Sequence, residues 1–151
     1  CVGVVAVLQP AKVRAQLARS TLDLLGMHDV PVCAGSDGGG QGGTSTALED
    51  IDYMSLKHLD SRDEEEGDAL AVEVLTHAAD KSVTIVVVSS LTDVAKWIRN
   101  HEQLFVQKVQ SVVIQGGVKE FTAGQAPPDS YLEPDSAHNN MFDVKASEFF
   151  Y

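Results

Sequence analysis

A chain of 151 residues, 44% of them hydrophobic, is long enough to bury the core of one α/β-sized domain. Eleven Lys and Arg against 22 Asp and Glu leave a formal net charge of -11, so a phosphate backbone or an anionic membrane surface would be repelled. No apolar run approaches the ~18 residues a membrane-crossing helix needs, and neither nucleic-acid binding nor membrane insertion is expected.

Val2 to Leu8, "VGVVAVL", is a β-branched run without polar alternation, as in a strand buried on both faces. Pro10 suits the first turn of a helix, and Val13, Leu17, Thr21 and Leu24 then recur at helical spacing across Ala11–Leu25. Gly26 is placed to end that helix. A short second strand is expected at Pro31–Cys33. Cys1 and Cys33 both lie in apolar strand-like runs. Buried free thiols in a reducing intracellular compartment explain them better than a disulfide framework.

Gly35 to Thr46, "GSDGGGQGGTST", lacks the GxxxxGK[ST] pattern and reads as a mobile loop rather than a phosphate cradle. Asp60 to Asp68, "DSRDEEEGD", reads as a solvated acidic loop rather than a metal cage, and Asp60–Gly67 too is expected to be mobile. A helix follows over Asp68–Ala79, with Leu70, Val74 and Ala78 on one face. Val83–Val88 is the clearest strand in the chain. Leu91–Asn100 reads as a helix with Leu91, Val94, Ala95 and Ile98 inward and Trp97 in a packing role. Val112–Ile114 forms another strand, with Gly116 and Gly117 just beyond it. This alternation predicts an α/β fold: a mostly parallel sheet with helices on both faces, in a single domain spanning residues 1–151.

In open parallel sheets, ligands gather beyond the carboxyl ends of the strands. "SSLTD" after Val88, "QGGV" after Ile114 and the loop after Cys33 all leave strands there. The polar stretch "LEPDSAHNNMFD", Leu132 to Asp143, follows the Ile114 strand and can reach the same edge. Hydroxyls, carbonyls and amides, with Asp93 or Asp135, would suit a polyhydroxylated ligand. Simpler roles compete. Thr92 can cap the next helix with Asp93 in its first turn, Asn139 and Asn140 can form a turn, and Asp143 can be an N-cap. His28, His58, His77 and His101 are scattered without ligand spacing.

Four segments, "LLGMHDVPVCAGSDGG", "VTIVVVSSLTDVAKWIRN", "VQSVVIQGGV" and "PDSAHNNMFDVKASEFFY", resemble in order and spacing the inosine/uridine-preferring nucleoside hydrolase family. The resemblance implies a nucleoside-hydrolase-like (Rossmann-like) core, incomplete in this chain. It implies a calcium-dependent N-glycosyl hydrolase that cleaves the base from a ribonucleoside, as in purine and pyrimidine salvage. In that family a Leu-Thr turn offers a backbone carbonyl to calcium, and Thr92 matches it. The family's Met-Gly-Gly stands here as Gln115-Gly116-Gly117. Its ribose-holding Asn matches Asn140, beside Asn139, while the Glu two residues earlier is replaced by His138.

The family's aspartate cluster, DxDxxxDD, lies on a strand preceding "CVGVVAVL", and its late His-Asp pair lies beyond Tyr151; its His-Gly-Asn has become Leu8-Gln9-Pro10. Calcium needs 6–8 oxygen ligands. Binding of calcium by this chain alone is therefore doubtful, no catalytic residue is assigned, and the isolated chain is expected to be inert. Ribonucleosides would bind weakly or not at all. Two classes remain: a piece of a nucleoside N-ribohydrolase completed by further sequence, or a non-catalytic nucleoside-hydrolase-like module of a larger assembly. A pentose-specific binding protein is a weaker third. Without its first strand, the Val2–Leu8 strand would carry an open edge, and open edges recruit protein partners.

Overall fold

The computed structural model describes residues 1–39, 65–120 and 132–151. The acidic residues 60–64 and most of the glycine-rich stretch, residues 40–46, lie outside the described residues, and so does His58. The elements run β1 (Val4–Ala6), α1 (Ala11–Leu24), β2 (Val32–Ala34), α2 (Glu65–His77), β3 (Val83–Val87), α3 (Thr92–Lys108), β4 (Val109–Ile114), α4 (His138–Phe142) and α5 (Val144–Phe150). Strands and helices alternate as the apolar periodicities require. No helix among the described residues is long and apolar enough to cross a membrane.

Among the described residues, four strands form two parallel pairs rather than one continuous sheet. β1 pairs with β2 in the register Val4↔Val32 to Ala6↔Ala34, and β3 pairs with β4 from Thr84↔Ser111 to Val87↔Ile114. Between the pairs lies a cavity lined by β1 residues such as Val5 and by the length of β3. The spatial order is therefore β2-β1-gap-β3-β4. Sequence reasoning expected these strands in one sheet; periodicity identifies strands but carries no information on which edges meet. Parallel crossovers are right-handed, and the direction of crossing reverses between α1 and the α2–α3 pair. This handedness assigns α1 to one face and α2 and α3 to the other.

Helix ends follow local chemistry. Gly26 has φ of 72°, and the Gly26 and Met27 amides donate to the Asp23 and Leu22 carbonyls at 3.0 and 2.8 Å. These paired bonds close α1 with a left-handed residue that costs glycine little. Helix α2 starts at Glu65, so Glu65–Gly67 belong to a helix and not to the acidic loop expected there. Gly67 has a packing reason: a Cβ there would meet the Ala34 carbonyl oxygen at 2.4 Å. The small residue lets α2 lie directly on β2.

Helix α3 is longer than the expected Leu91–Asn100. His101 leaves helical geometry (φ -139°, ψ 39°), yet the helix continues to Lys108 because Leu104 and Phe105 keep its apolar stripe facing the core. The core gathers Leu75, Val87, Leu91, Val94, Ala95, Phe105, Val109 and Ala146, with Trp97 and Ile98 packed against it. Trp97 also donates its indole N–H to Asp68 at 3.0 Å, and Lys96 forms an ion pair with the same carboxylate. Neither cysteine forms a disulfide; Cys33 is buried, whereas Cys1 is exposed at the chain start, contrary to the expectation for both. Cys1 lies ahead of β1, which begins at Val4 and so does not hold it in the strand.

Candidate functional site at the carboxyl edge of the strands

The segments that leave β2, β3 and β4 meet at one end of the molecule. After β2, Ser36 donates its backbone N–H to Asp93 Oδ1 at 3.0 Å and its hydroxyl to Asp93 Oδ2 at 2.6 Å. Asp93 is 4% exposed. A buried carboxylate is tolerated because both oxygens accept hydrogen bonds and the first turn of α3 presents the positive end of the helix dipole. Ser90, buried after β3, donates to the Gly38 carbonyl at 3.3 Å. These bonds clasp the β1–β2 pair to the β3–β4 pair at their carboxyl ends.

Thr92 is the first residue of α3, not its N-cap; Leu91 holds the cap position without a side-chain bond. The Thr92 hydroxyl lies 2.7 Å from Ser90 Oγ and donates to Asp143 Oδ2 at 2.8 Å. Asp143 in turn caps α5, where its Oδ1 accepts from the Ala146 amide at 3.0 Å. One carboxylate thus starts a helix and ties it to the first residue of α3 across 51 positions of sequence. Sequence reasoning found the cap, since an Asp before a short helical run signals one. It missed the tie to Thr92, for which no local signal exists.

Asn139 and Asn140 dock α4 on the end of β4. Asn139 donates its amide to the Gln115 carbonyl at 2.7 Å. Asn140 is 2% exposed and donates to the Gly117 carbonyl at 2.8 Å and to Asp135 Oδ1 at 3.1 Å. Its own Oδ1 is buried and has no hydrogen-bond partner among the described residues. A Cβ on Gly116 would stand 2.9 Å from that oxygen and 2.9 Å from the Tyr151 hydroxyl, and a Cβ on Gly117 would strike Asp135 Oδ2 at 2.1 Å. The glycine pair therefore preserves a cradle walled by Asp135, Asn140 and Tyr151. Burial, and then the charge of Asp135, raise the Tyr151 phenol above its ordinary range. Tyr151 and Ser36 went unnoticed in the sequence, as an ordinary aromatic tail and a loop serine.

Thr92, Asn139 and Asn140 accordingly lie at the same edge, with Asp143 bonded to Thr92 and three residues from Asn140. Calcium prefers several carboxylate oxygens converging within 2.3–2.6 Å. Among the described residues there is no group of three His, Cys, Asp or Glu side chains able to hold a metal ion. Both carboxylates nearest Thr92 are already engaged, Asp93 by Ser36 and Asp143 by Thr92 and Ala146. The described donor set does not fit a calcium ion by itself. His28, His77 and His101 stay apart; His28 meets Asp23 and His77 meets the Glu73 carbonyl of its own helix.

Three comparisons bear on this geometry. No curated protein matches the sequence. Among solved structures, the chain is similar to one described as "type III effector protein XopQ complexed with adenosine diphosphate ribose", at 28% identity and a TM-score of 0.68. It is also similar to "the effector protein XOO4466", at 26% identity and a TM-score of 0.64. All of this chain is covered in both, but only 43% and 42% of those chains, so it spans less than half their length. The family model described as inosine-uridine preferring nucleoside hydrolase matches residues 2–149. The parallel strand pairs, the Gly-Gly turn after β4 and the match across nearly the whole sequence agree: this chain belongs to the inosine-uridine preferring nucleoside hydrolase family.

Proposed function

We propose that the carboxyl-edge cradle is the ribose-facing part of a nucleoside N-ribohydrolase-type site, with Asn140, Asn139 and the Thr92 turn as its ligand-facing residues. The observation that carries this reading is the buried, unpartnered Asn140 Oδ1 beside Gly116. A buried acceptor without a donor costs about 1–3 kcal/mol, and a sugar hydroxyl entering the cradle would supply the donor. The ligand class is a ribonucleoside or an adenosine-diphosphate-ribose-like molecule, in keeping with family membership and with the ligand named for the XopQ structure.

Cleavage of the N-glycosidic bond would need a general base and, in this family, calcium. The described carboxylates do not supply that set, so the chain alone is proposed to bind and not to cleave. Each neutral hydrogen bond contributes about 1 kcal/mol net. Three or four of them correspond to dissociation constants in the millimolar range, on the order of 1–10 mM. A non-cleaving module in a larger assembly is the second reading, favoured by the description of both solved relatives as effector proteins.

Backbone amide NMR during titration with ribose, inosine and adenosine diphosphate ribose tests the site. Shifts should gather at Ser90–Asp93, Gln115–Gly117 and Ala137–Asp143, and Asn140→Asp should weaken them by placing a charge in the buried cradle. Shifts confined to other regions, or none at saturating ligand, would sink the assignment. Chromatography of the same samples for free base decides between the two readings.

A further inference from the structure

The turn after β4 carries one polar side chain that the cradle does not use. Along Val112–Gly116 the side chains alternate between the two faces of the strand. Val112 and Ile114 pack against the core, and a Cβ on Gly116 would meet Ile114 Cγ2 at 3.2 Å on that same face. Val113 and Gln115 take the other face; Val113 is 54% exposed, and Gln115 is exposed too. Gln115 therefore ends the apolar run of β4 with a carboxamide at the carboxyl edge, next in sequence to the glycine on which the cradle is built.

The backbone of Gln115 is held from both sides. Its N–H donates to the Val87 carbonyl at 2.8 Å, which carries the β3–β4 pairing one residue past Ile114. Its carbonyl accepts from Asn139 Nδ2 at 2.7 Å. Both main-chain groups are engaged, and the carboxamide has no hydrogen-bond partner among the described residues. By contrast, the Gln9 and Gln107 carboxamides donate to Asp37 and Asp80. Because the backbone is already fixed, a ligand at this edge has only the side chain left to order. A carboxamide offers two N–H donors and one carbonyl acceptor, which matches a hydroxyl that both accepts and donates.

We propose that Gln115 is a further ligand-binding residue of this edge, its carboxamide hydrogen-bonding one hydroxyl of the sugar whose other hydroxyl meets Asn140 Oδ1. The inference rests on the reading of the cradle as a ribose site. Gln115 and Asn140 flank the same backbone, Gln115–Gly117, from opposite faces, and a ribose carries hydroxyls on different sides of its ring. It therefore reaches both residues at once. The contact is particular to this chain, since the methionine of the Met-Gly-Gly turn that this segment resembles has no hydrogen-bonding group to make it.

Side-chain amide NMR of the full chain reads the contact directly, with methyl β-ribofuranoside as the probe. The Gln115 Nε2–H signals should shift and show nuclear Overhauser contacts to the sugar, while those of Gln107, held by Asp80, stay in place. Gln115→Met keeps the length of the side chain and both backbone bonds, and should weaken binding about fivefold, the contribution of one neutral hydrogen bond. Unchanged Asn139 side-chain signals in that variant show that the turn is intact. Among the 2-, 3- and 5-deoxy analogues of the probe, one should bind the parent about fivefold more weakly and lose nothing further on Gln115→Met. Binding that Asn140→Asp weakens but Gln115→Met leaves within about twofold overturns this inference and leaves the cradle standing. Binding weakened by Gln115→Met alone overturns the shared site, because the sugar then does not meet Asn140. No binding by the parent chain overturns both readings.

Discussion

Replacing Asp93 by Ala removes the buried acceptor that joins β2 to α3. Two hydrogen bonds disappear, from the Ser36 amide at 3.0 Å and its hydroxyl at 2.6 Å, and both end on a carboxylate that is 4% exposed. Bonds to a charged group contribute about 1.5–3 kcal/mol each, but the carboxylate's own desolvation is relieved when it goes, so the net loss is about 3 kcal/mol. For a chain of this size, 1 kcal/mol moves the melting midpoint by about 2–4 °C, and Asp93→Ala should melt about 6–12 °C lower. Asp93→Asn keeps the shape and one acceptor oxygen and should lose roughly half as much. Urea unfolding followed by Trp97 fluorescence gives the free energies directly. A loss under about 1 kcal/mol for Asp93→Ala, or equal losses for the two variants, would refute the view that this carboxylate clasps the strand pairs.

Three further outcomes follow from the same geometry. In a double-mutant cycle, Thr92→Val and Asp143→Ala should couple by about 1 kcal/mol, since the Thr92 hydroxyl donates to Asp143 at 2.8 Å; additivity would show the bond to be worthless. Gly67→Ala should destabilise by about 1–3 kcal/mol despite alanine's better helix propensity, because its Cβ meets the Ala34 carbonyl at 2.4 Å; a gain in melting temperature would contradict that contact. The Tyr151 phenol, raised by burial and then by Asp135, binds its proton more tightly in the folded state. Its contribution to stability is therefore full below pH ~10 and is lost as pH rises through the raised folded value. Ultraviolet titration should find one tyrosine ionising late, and Asp135→Asn should bring it only part of the way back because burial remains.

What the sequence by itself determined is the set of elements and several of their ends. β-branched runs at Val2–Leu8 and Val83–Val88, helical spacing after Pro10, Gly26 beyond α1 and Asp143 before α5 are local signals, and local backbone preference is enough to express them. The family was also legible, through the order of segments around "SSLTD" and "SAHNN". Boundaries suffered where tertiary packing overrode local cues: Glu65–Gly67 joined a helix because Gly67 allows contact with β2, and α3 ran past His101 because Phe105 is buried. Only the tertiary structure decided that the strands form two pairs around a gap, that Asp93 is buried against Ser36, that Asp143 reaches Thr92, and that Asn140 Oδ1 faces no donor. The pairings among them join residues 26 to 57 positions apart. Periodicity constrains each residue relative to its near neighbours, whereas such pairings depend on how finished elements stack, which is settled by packing across the whole chain.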